Sequence, residues 1–304
     1  MYIAIASRNS RLLDMQEYDP LAGLPEGCEL VTFTNFKKLA QAANYIFSQL
    51  DTHEDEGNQF LVVVGLSSQA RDRLMNRKCN LGVSFRFMWD GSMGIIKVLP
   101  SRTHDMTTSE LRAEIAEKIA NMGIPRLQTA WASTTTHEGT VTTKGKEADE
   151  SFHPPPRFPV LGQQSEPWPT LVIETGVSES LAKLREDVKW WFNNSNGEVR
   201  IVLILSIKKR TRTVLLERWQ LAPPVPRGRM ITRQQNLQPM SLLTSQPAAQ
   251  QMPCSLQKIT ITPTSASGSL ILPFEALFCR APLGDEADII LNPLDLINCI
   301  RFVF

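Results

Sequence analysis

Two carboxylates beside strand-like segments are the residues of this sequence with the clearest potential for chemistry. Glu174 follows the apolar run 171–173, and Asp149 lies in the polar segment KGKEADESF. Because side chains alternate between the two faces of a strand, Glu174 shares a face with Val172 and Thr170. A carboxylate at the end of a buried strand costs several kcal/mol of desolvation unless a basic group, backbone donors or a metal ion pairs with it.

The spatial relation of these two carboxylates decides what chemistry they can do. If their strands lie side by side, Asp149 and Glu174 meet at one sheet edge, where they repel each other unless a cation or a proton intervenes. Carboxylate oxygens with water suit Mg²⁺ or Mn²⁺, and such an ion activates water and stabilises charge on a phosphodiester. In the structural alternatives, Glu174 caps the next helix or pairs with Arg185, and Asp149 is a solvated residue at a strand end.

Hydrophobic periodicity predicts the elements that position these residues. In the first 80 residues an amphipathic helix follows a cap at Asn35 or Thr34, FLVVVGL is a short buried run, and SSQARDRLMNRKC is a second helix. Two apolar runs around the Asp-Gly pair at 90–91 predict a β-hairpin. The segment THDMTTSELRAEIAEKIANMG then predicts a helix with Thr108 or Ser109 as its N-cap.

Around the two carboxylates the sequence predicts several strands and one helix. KGKEADESF is expected as a single short strand, in which Lys146 and Asp149 face opposite ways unless a bulge intervenes. The run that ends in Glu174 is a second strand, and the segment after it is a helix that buries Trp191. GEVRIVLILSI and TVLLERWQL are further strands, whereas residues 223–255, rich in Pro, Gln and Ser, predict a flexible insertion.

Bulk composition excludes several classes of protein. The 304 residues contain 32 Lys plus Arg and 31 Asp plus Glu, so the net charge of +1 gives no overall field that attracts nucleic acid. Five scattered cysteines without a CxxC pair argue against a zinc ribbon, a thioredoxin site and a disulfide framework. The lack of a basic leader and of a long apolar run predicts a soluble, intracellular protein, either nuclear or cytoplasmic, with no membrane partner.

The histidines and one basic run of the sequence do not indicate a particular function. The four histidines are scattered and give no support to a His-rich metal site, and His104 and His137 are expected at the surface or in helix caps. The run KKRTR at 208–212 indicates either a phosphate-contacting or nuclear-import segment, or a charged strand end in solvent.

A resemblance to a known superfamily is carried by three segments in order, GKEADESF, WPTLVIETGVSESLAKLREDVKWW and GEVRIVLILSI. They are similar to the core of a fungal branch of the PD-(D/E)XK, or restriction-endonuclease-like, superfamily. The upstream segment IIKVLPSRTHDMTTSELRAEIAEKIANMGI is similar to the hairpin and first helix before that core. The resemblance extends from about residue 83 to 222 and returns in SGSLILPFEALF and DIILNPLDL, while the first 80 residues carry little of it.

The resemblance implies metal-binding roles for particular residues. In that superfamily an acidic residue on the second core strand and another on the third hold the divalent metal, Mg²⁺ or Mn²⁺. By position these residues match Asp149 and Glu174. A glutamate of the first helix often assists, and Glu114 is slightly favoured here over Glu110 and Glu117.

One departure from the superfamily pattern concerns a lysine. The pattern Glu-x-Lys places a lysine that orients the attacking water and stabilises negative charge, whereas this chain has Glu-Thr-Gly at 174–176. The following helix offers Lys183 or Lys189 as the replacement, and Lys146 on the polar strand is another candidate. An arginine there could stabilise charge but could not act as a base near neutrality.

These observations predict an α/β protein with a restriction-endonuclease-like core, a mixed β-sheet flanked by helices, and an N-terminal α/β extension. The expected organisation is an extension over 1–80, a nuclease-like core over 81–222, the insertion over 223–255, and a segment over 256–304 that packs back on the core. The expected function is metal-dependent hydrolysis of DNA phosphodiester bonds. The alternatives are an inactive member of the fold that binds nucleic acid or a protein, and a structural protein without metal.

Overall fold

The computed structural model describes residues 19–54, 57–76, 79–99, 102–133, 135–139, 143–158, 167–177, 181–222 and 251–304. Over these residues the chain is a mixed α/β protein, as the sequence predicts. The predicted insertion lies outside the described residues from 223 to 250, and its last part, 252–255, belongs to a strand. No helix in the described part of the chain is long and apolar enough to cross a membrane.

The described residues form fifteen strands and six α-helices. The strands, in chain order, are β1 (Glu29–Thr32), β2 (Phe60–Val64), β3 (Phe85–Asp90), β4 (Met93–Val98), β5 (Ala130–Trp131), β6 (Thr136–Glu138), β7 (Lys144–Glu147), β8 (Glu150–His153), β9 (Leu171–Val177), β10 (Ile201–Lys208), β11 (Thr213–Ala222), β12 (Met252–Thr262), β13 (Ser265–Ala266), β14 (Leu270–Leu272) and β15 (Ile289–Leu291). The helices are α1 (Phe36–Thr52), α2 (Ser68–Met75), α3 (Arg102–Asn121), α4 (Leu181–Asn194), α5 (Phe274–Phe278) and α6 (Pro293–Cys299).

The strands form two large sheets and one separate pair. Sheet A has six strands in the order β1-β2-β4-β3-β7-β6, in which β1 and β2 are parallel and the other neighbours are antiparallel. Sheet B has seven strands in the order β13-β12-β11-β10-β9-β8-β5, in which β9 and β10 are parallel and the other neighbours are antiparallel. β14 and β15 pair with each other. The single mixed sheet that the sequence predicts is therefore two mixed sheets.

Three apolar cores connect the sheets and the helices. One face of sheet A packs against α1 and α2, with Leu39 at the contact. One face of sheet B packs against α3, α5 and α6, with Ile115 and Leu296 at the contact. The remaining faces of the two sheets share a third core with α4, in which Met88 of sheet A and Val172 of sheet B are both buried. The space between the sheets is thus enclosed by apolar side chains.

Within the first 80 residues, both described strands belong to sheet A. β2 pairs with β4, so β1 and β2 extend the sheet that contains the β3–β4 hairpin. α1 begins after Asn35, whose side chain accepts the backbone N–H of Lys38 at 3.0 Å, which confirms one of the two predicted caps. The hairpin around 90–91 also forms where the sequence predicts it. The N-terminal residues and the hairpin therefore form one continuous sheet.

The helix α3 begins earlier than the sequence predicts. It starts at Arg102, so Thr108 and Ser109 lie inside it and neither is the N-cap. The hydroxyl group of Thr108 donates to the carbonyl oxygen of His104 at 2.9 Å. Such a bond to the preceding turn lets a threonine remain within a helix. The earlier start places His104 in the first turn of α3, where it reaches the space between the sheets.

The segment KGKEADESF forms two strands instead of the predicted one. β7 belongs to sheet A and β8 to sheet B, and the chain crosses between the sheets at Ala148 and Asp149. The alternation that would turn Lys146 away from Asp149 ends where β7 ends. Lys146 pairs with Met88 in sheet A, and directly opposite residues share a face of the sheet. Lys146 therefore points into the space between the sheets.

The C-terminal segment covers one face of sheet B. Leu270 and Phe274 lie in the same apolar core as Leu171 and Leu203 of the sheet. Asn292 caps α6 with a capping box, which fixes where this last helix begins. Burial against the sheet explains the apolar composition of this part of the chain.

Candidate functional site

Asp149 lies at the crossover between the sheets and is surrounded by donors. Its Oδ2 atom accepts hydrogen bonds from Lys97 Nζ and from the backbone N–H of Thr175, both at 2.8 Å. His104 Nε2 lies 3.1 Å from the same oxygen, and Arg86 Nε lies 3.2 Å from Oδ1. Asp149 is 2% exposed, so these groups replace water as its partners.

Glu174, on β9, is buried beside a second set of partners. Its Oε1 atom accepts a hydrogen bond from Trp191 Nε1 at 2.6 Å and lies 3.3 Å from Lys146 Nζ. Lys146 Nζ is also 3.1 Å from Asp187 Oδ2, and Lys183 Nζ donates to Asp187 Oδ1 at 2.8 Å. α4 therefore brings a carboxylate and an ammonium group to the site in addition to the Trp191 indole.

Ion pairs join eight residues into two neighbouring sets of four, which together we call the charge cluster: Arg86, Lys97, His104 and Asp149 in one set, and Lys146, Glu174, Lys183 and Asp187 in the other. Sheet A supplies three basic groups of the charge cluster, and the other members come from α3, α4, β9 and the crossover. Lys97 links the parts, because its Nζ atom donates to the Thr175 carbonyl oxygen at 2.6 Å as well as to Asp149. The backbone of Thr175, which directly follows Glu174, thus connects the two sets.

The surroundings of the two carboxylates shift their ionisation in opposite directions. Burial disfavours the charged form of Asp149, but its basic neighbours, Lys97 first, outweigh burial and hold its pKa well below the usual value. Burial raises the pKa of Glu174, and the charges of Asp149 and Asp187 add to that rise against the opposing effect of Lys146. Titratable pairs whose pKa values are pushed apart are typical of functional sites, although structural ion networks show the same behaviour.

A narrow cleft of about 20 Å³, room for about one water molecule, opens beside the charge cluster. Its charged lining consists of the basic groups of Arg86, Lys97, Lys146 and Lys183 and the carboxylates of Glu147, Glu174 and Asp187. Guanidinium and ammonium groups are the side chains that bind phosphate oxygens in proteins. The cleft therefore brings basic donors and carboxylates together around one space of the size of a water molecule.

Some residues nominated by the sequence lie outside the charge cluster. Glu110 of α3 pairs with Arg301 Nη2 at 3.1 Å, and Glu114 lies on the same side of the helix, which packs against α6. Lys189 Nζ pairs with Glu186 Oε1 at 2.6 Å on the outer side of α4. The structure brings neither Glu114 nor Lys189 to the two carboxylates, so the helix glutamate and one of the two replacement lysines are not at the site.

The structural alternatives for the two carboxylates are wrong. Arg185 Nη2 lies 2.6 Å from Glu217 Oε1, so it pairs with that residue and not with Glu174. Glu174 lies inside β9 and does not cap α4, and the buried Asp149 is not a solvated strand end. Lys183 is 2% exposed and bonded within the charge cluster, so it does not belong to a solvated face.

Sequence reasoning missed four members of the charge cluster: Arg86, Lys97, His104 and Asp187. Lys97 carries a signal that was available, because it is a charged residue within the apolar run GIIKVLP, as Glu174 is within LVIE. A buried strand that contains a lysine needs an anion, by the same argument that a buried glutamate needs a cation. The other three have no such local signal, since their burial depends on which elements pack around them.

Two histidines are buried, and the prediction that they lie at the surface or in caps is wrong. His104 and His137 are each 1% exposed. His137 stacks on Trp168 with ring centroids 5.2 Å apart and meets the Trp191 ring edge-on at 5.7 Å. Burial lowers the pKa of His137 to about 3, so its ring is neutral at pH 7. His104 differs, because the charge of Asp149 outweighs burial and raises its pKa.

Comparison with family models and with curated proteins gives no relative from which a function could be transferred. No protein-family model matches the sequence. No curated protein matches it either. The functional interpretation therefore depends on the charge cluster and on the resemblance described above.

Proposed function

We propose that the chain is a restriction-endonuclease-like protein that hydrolyses DNA phosphodiester bonds with Mg²⁺ or Mn²⁺. The observation that carries the proposal is the burial of Asp149 and Glu174 within one cluster of basic groups. After α3, the first three strands that the chain contributes to sheet B are β5, β8 and β9. Asp149 directly precedes β8, the second of them, and Glu174 lies on β9, the third. These are the positions to which the resemblance assigns the two metal-holding acids.

The chemistry of the two carboxylates is compatible with a divalent ion. The raised pKa of Glu174 means that its surroundings do not fully compensate its negative charge, and an added cation would favour the carboxylate form. In the described part of the chain no three or more His, Cys, Asp or Glu side chains form a metal-binding group. Asp149 and Glu174 would therefore hold the ion with water and substrate oxygens, as Mg²⁺ commonly requires. When bound, the ion would lower the pKa of a water molecule and stabilise charge on the phosphodiester.

The basic groups of the charge cluster support the proposal by replacing the lysine of the Glu-x-Lys pattern. Lys146 approaches Glu174 from sheet A, and Lys97 approaches Asp149 from the same sheet. Both ammonium groups line the cleft, where they can stabilise the negative charge that develops on a phosphodiester. Lys183 bonds to Asp187, which in turn contacts Lys146, so Lys183 is a positioning residue.

A catalytically inactive member of the same fold is the second candidate, and one observation favours it. The two oxygens of Asp149 already contact Lys97, His104, Arg86 and a backbone N–H group, so a metal ion would have to displace some of these donors. In that case the charge cluster is a structural ion network that holds the two sheets together. The chain would then bind nucleic acid or a protein partner without cleaving it.

Cleavage of supercoiled plasmid DNA in Mg²⁺ or Mn²⁺ tests the proposal. Glu174→Gln keeps the size of the side chain and removes its charge, so we expect cleavage to slow by about 100-fold or more. Glu186→Gln is the matched control, because Glu186 lies on the outer side of α4 and pairs with Lys189. It should cleave at the rate of the wild type. Equal cleavage by all three proteins would exclude a role of Glu174 in the reaction, and no cleavage by any of them in either metal would favour the inactive alternative.

A further inference from the structure

A groove of about 460 Å³ runs between the C-terminal half of α3 and β5, the edge strand of sheet B. Its floor is apolar, because Ile119 and Ile124 line it and are at most 5% exposed. Trp131 of β5 forms one wall, and its ring is packed edge-on against Phe152 at a centroid distance of 5.1 Å. The groove shares no lining residue with the cleft beside the charge cluster.

Two arginines give the rim of this groove a positive charge. Arg112 and Arg126 both line it. The guanidinium carbon of Arg112 lies 5.8 Å from the centre of the Trp131 ring, and its Nη1 atom is 3.2 Å from Glu150 Oε2. Glu150 offsets one of the two positive charges, so the rim remains positive. The groove therefore combines an aromatic wall, an apolar floor and basic groups.

The groove lies next to the charge cluster along α3. Thr108 of α3 shares a hydrogen bond of 2.7 Å with the hydroxyl group of Thr175, beside the two carboxylates. Arg112 follows Thr108 by four residues, which is about 6 Å along a helix axis. On the other side, Glu150, the partner of Arg112, directly follows Asp149. The register of sheet B pairs Trp131 with Phe152 and Glu150 with Ile173, so the groove lies on the face of the sheet that α3 covers, whereas Glu174 lies on the face toward α4.

We propose that the groove binds an unpaired nucleotide of single-stranded DNA. The inference rests on the proposed function, because both take DNA as the ligand. A base can stack on an aromatic ring whatever its identity, and an arginine can contact a phosphate or stack on a base. The carboxylates of an acidic peptide could pair with the two arginines, but they could not stack on the Trp131 ring or cover the apolar floor.

Binding of fluorescein-labelled oligo(dT), followed by fluorescence anisotropy in EDTA, tests the inference without any cleavage step. Trp131→Ala should weaken binding by about 10-fold or more, which corresponds to the loss of one stacked base. Trp131→Phe keeps a ring and should lose less. Arg126→Gln should weaken binding and lower the salt dependence by the contribution of about one phosphate contact. Arg73→Gln, on α2 away from the groove, is the matched control and should bind like the wild type.

The outcomes separate this inference from the proposed hydrolysis. Thermal unfolding shows which variants fold, and Trp131→Phe carries the test if Trp131→Ala does not fold. Equal affinities of the wild type, Trp131→Phe and Arg126→Gln would overturn the inference. Displacement of oligo(dT) by an equally charged glutamate peptide at equal concentration would also overturn it. If plasmid cleavage is absent but binding depends on Trp131, the groove assignment stands and the hydrolase assignment falls.

Discussion

Lys97 Nζ lies 2.8 Å from Asp149 Oδ2, so a lysine of sheet A pairs inside the protein with the carboxylate that leads into sheet B. Both residues are buried, and neither has bulk water as an alternative partner. Removal of one member of such a pair leaves the other charge in a medium of low dielectric constant. The pair therefore contributes to the cohesion of the two sheets whether or not the site is catalytic.

Replacement of Lys97 by an uncharged residue should destabilise the protein strongly. We expect Lys97→Met to lower the free energy of unfolding by about 3–5 kcal/mol, because Asp149 stays buried with one cation fewer. Urea denaturation at pH 7 measures the change. Lys189→Met removes a lysine from a surface pair with Glu186 and should change the value by about 1 kcal/mol or less. Equal, small losses from both variants would mean that Asp149 is satisfied without Lys97.

The hydrogen bond from the Trp191 indole to Glu174 should appear as a coupling energy. The bond is 2.6 Å long and buried, and a bond to a charged group contributes about 1.5–3 kcal/mol. A double-mutant cycle of Trp191→Phe and Glu174→Ala, measured by urea denaturation, should give a coupling of about 1 kcal/mol or more. The same cycle with Trp190→Phe, a neighbouring buried tryptophan, should give about 0.5 kcal/mol or less. Coupling that is no larger for Trp191 would contradict the contact.

Acid should destabilise the protein in part through His137. Its pKa is about 3 in the folded state, because of burial, and about 6.5 when unfolded. The unfolded chain therefore binds a proton that the folded chain does not, and the stability present above pH 6.5 is lost as the pH falls toward 3. The slope is up to about 1.4 kcal/mol per pH unit for this group.

A variant that cannot take up this proton should show a shallower slope. His137→Phe keeps a ring between Trp168 and Trp191, and neither ring nitrogen of His137 has a hydrogen-bond partner among the described residues. Unfolding free energies at pH 7, 6, 5 and 4 should fall less steeply for His137→Phe than for the wild type. His53→Gln changes an exposed histidine after α1 and should follow the wild type. Parallel curves for all three proteins would rule out a role of His137 in acid sensitivity.

Metal binding should depend on Glu174 and not on Glu114. Calorimetric titration with Mn²⁺ should give a binding heat for the wild type that Glu174→Gln abolishes, because Glu174 lies in the charge cluster with Asp149. Glu114→Gln should leave the heat unchanged, since Glu114 lies on the side of α3 toward α6. Loss of the heat in Glu114→Gln alone would restore the assignment made from the sequence. No heat above dilution for the wild type would remove the metal from the proposal.

A methyl group at Gly145 should disturb the strand that carries Lys146. A Cβ atom at Gly145 would overlap the ring of Trp89, which is itself buried. We expect Gly145→Ala to destabilise the protein by about 1–3 kcal/mol or more, as overpacking of a core does. Gly268→Ala is the control, because a Cβ atom there meets nothing within 4 Å, and it should leave thermal unfolding unchanged. Equal melting temperatures for the two variants would contradict this packing.

Features with local signals could be predicted from the sequence, and features set by distant contacts could not. The Asn35 cap and the turn at 90–91 depend on residues within a few positions, so the sequence locates them correctly. KGKEADESF divides into two strands because β7 pairs with β3 and β8 pairs with β9. These pairings depend on distant parts of the chain, so no local pattern encodes them. The departure from strand alternation at Asp149 follows from that division. It explains why Lys146, a candidate that strand alternation turns away from Asp149 unless a bulge intervenes, contacts Glu174.

The elements that supply the basic groups explain why the sequence predicts only half of the charge cluster. Asp149 and Glu174 lie within the segments that resemble the nuclease superfamily, and their placement together agrees with the expectation from strand pairing. Lys97 and Arg86 come from the hairpin, and their approach to Asp149 requires that the two sheets face each other. The packing of one sheet on another is a tertiary relationship, so the spacing of residues along the chain does not contain it.

The pairing of β2 with β4 has a consequence for any attempt to isolate a minimal folded fragment. A piece of the chain limited to residues 81–222 would lack β2, leaving the edge of β4 with unpaired backbone groups that invite aggregation. It would also lack Phe60, one of the apolar residues beside the cleft. Domain dissection, fusion or transplantation that follows the boundary suggested by sequence likeness should therefore yield an insoluble product, whereas a fragment that retains β1, β2 and the C-terminal segment should preserve the fold.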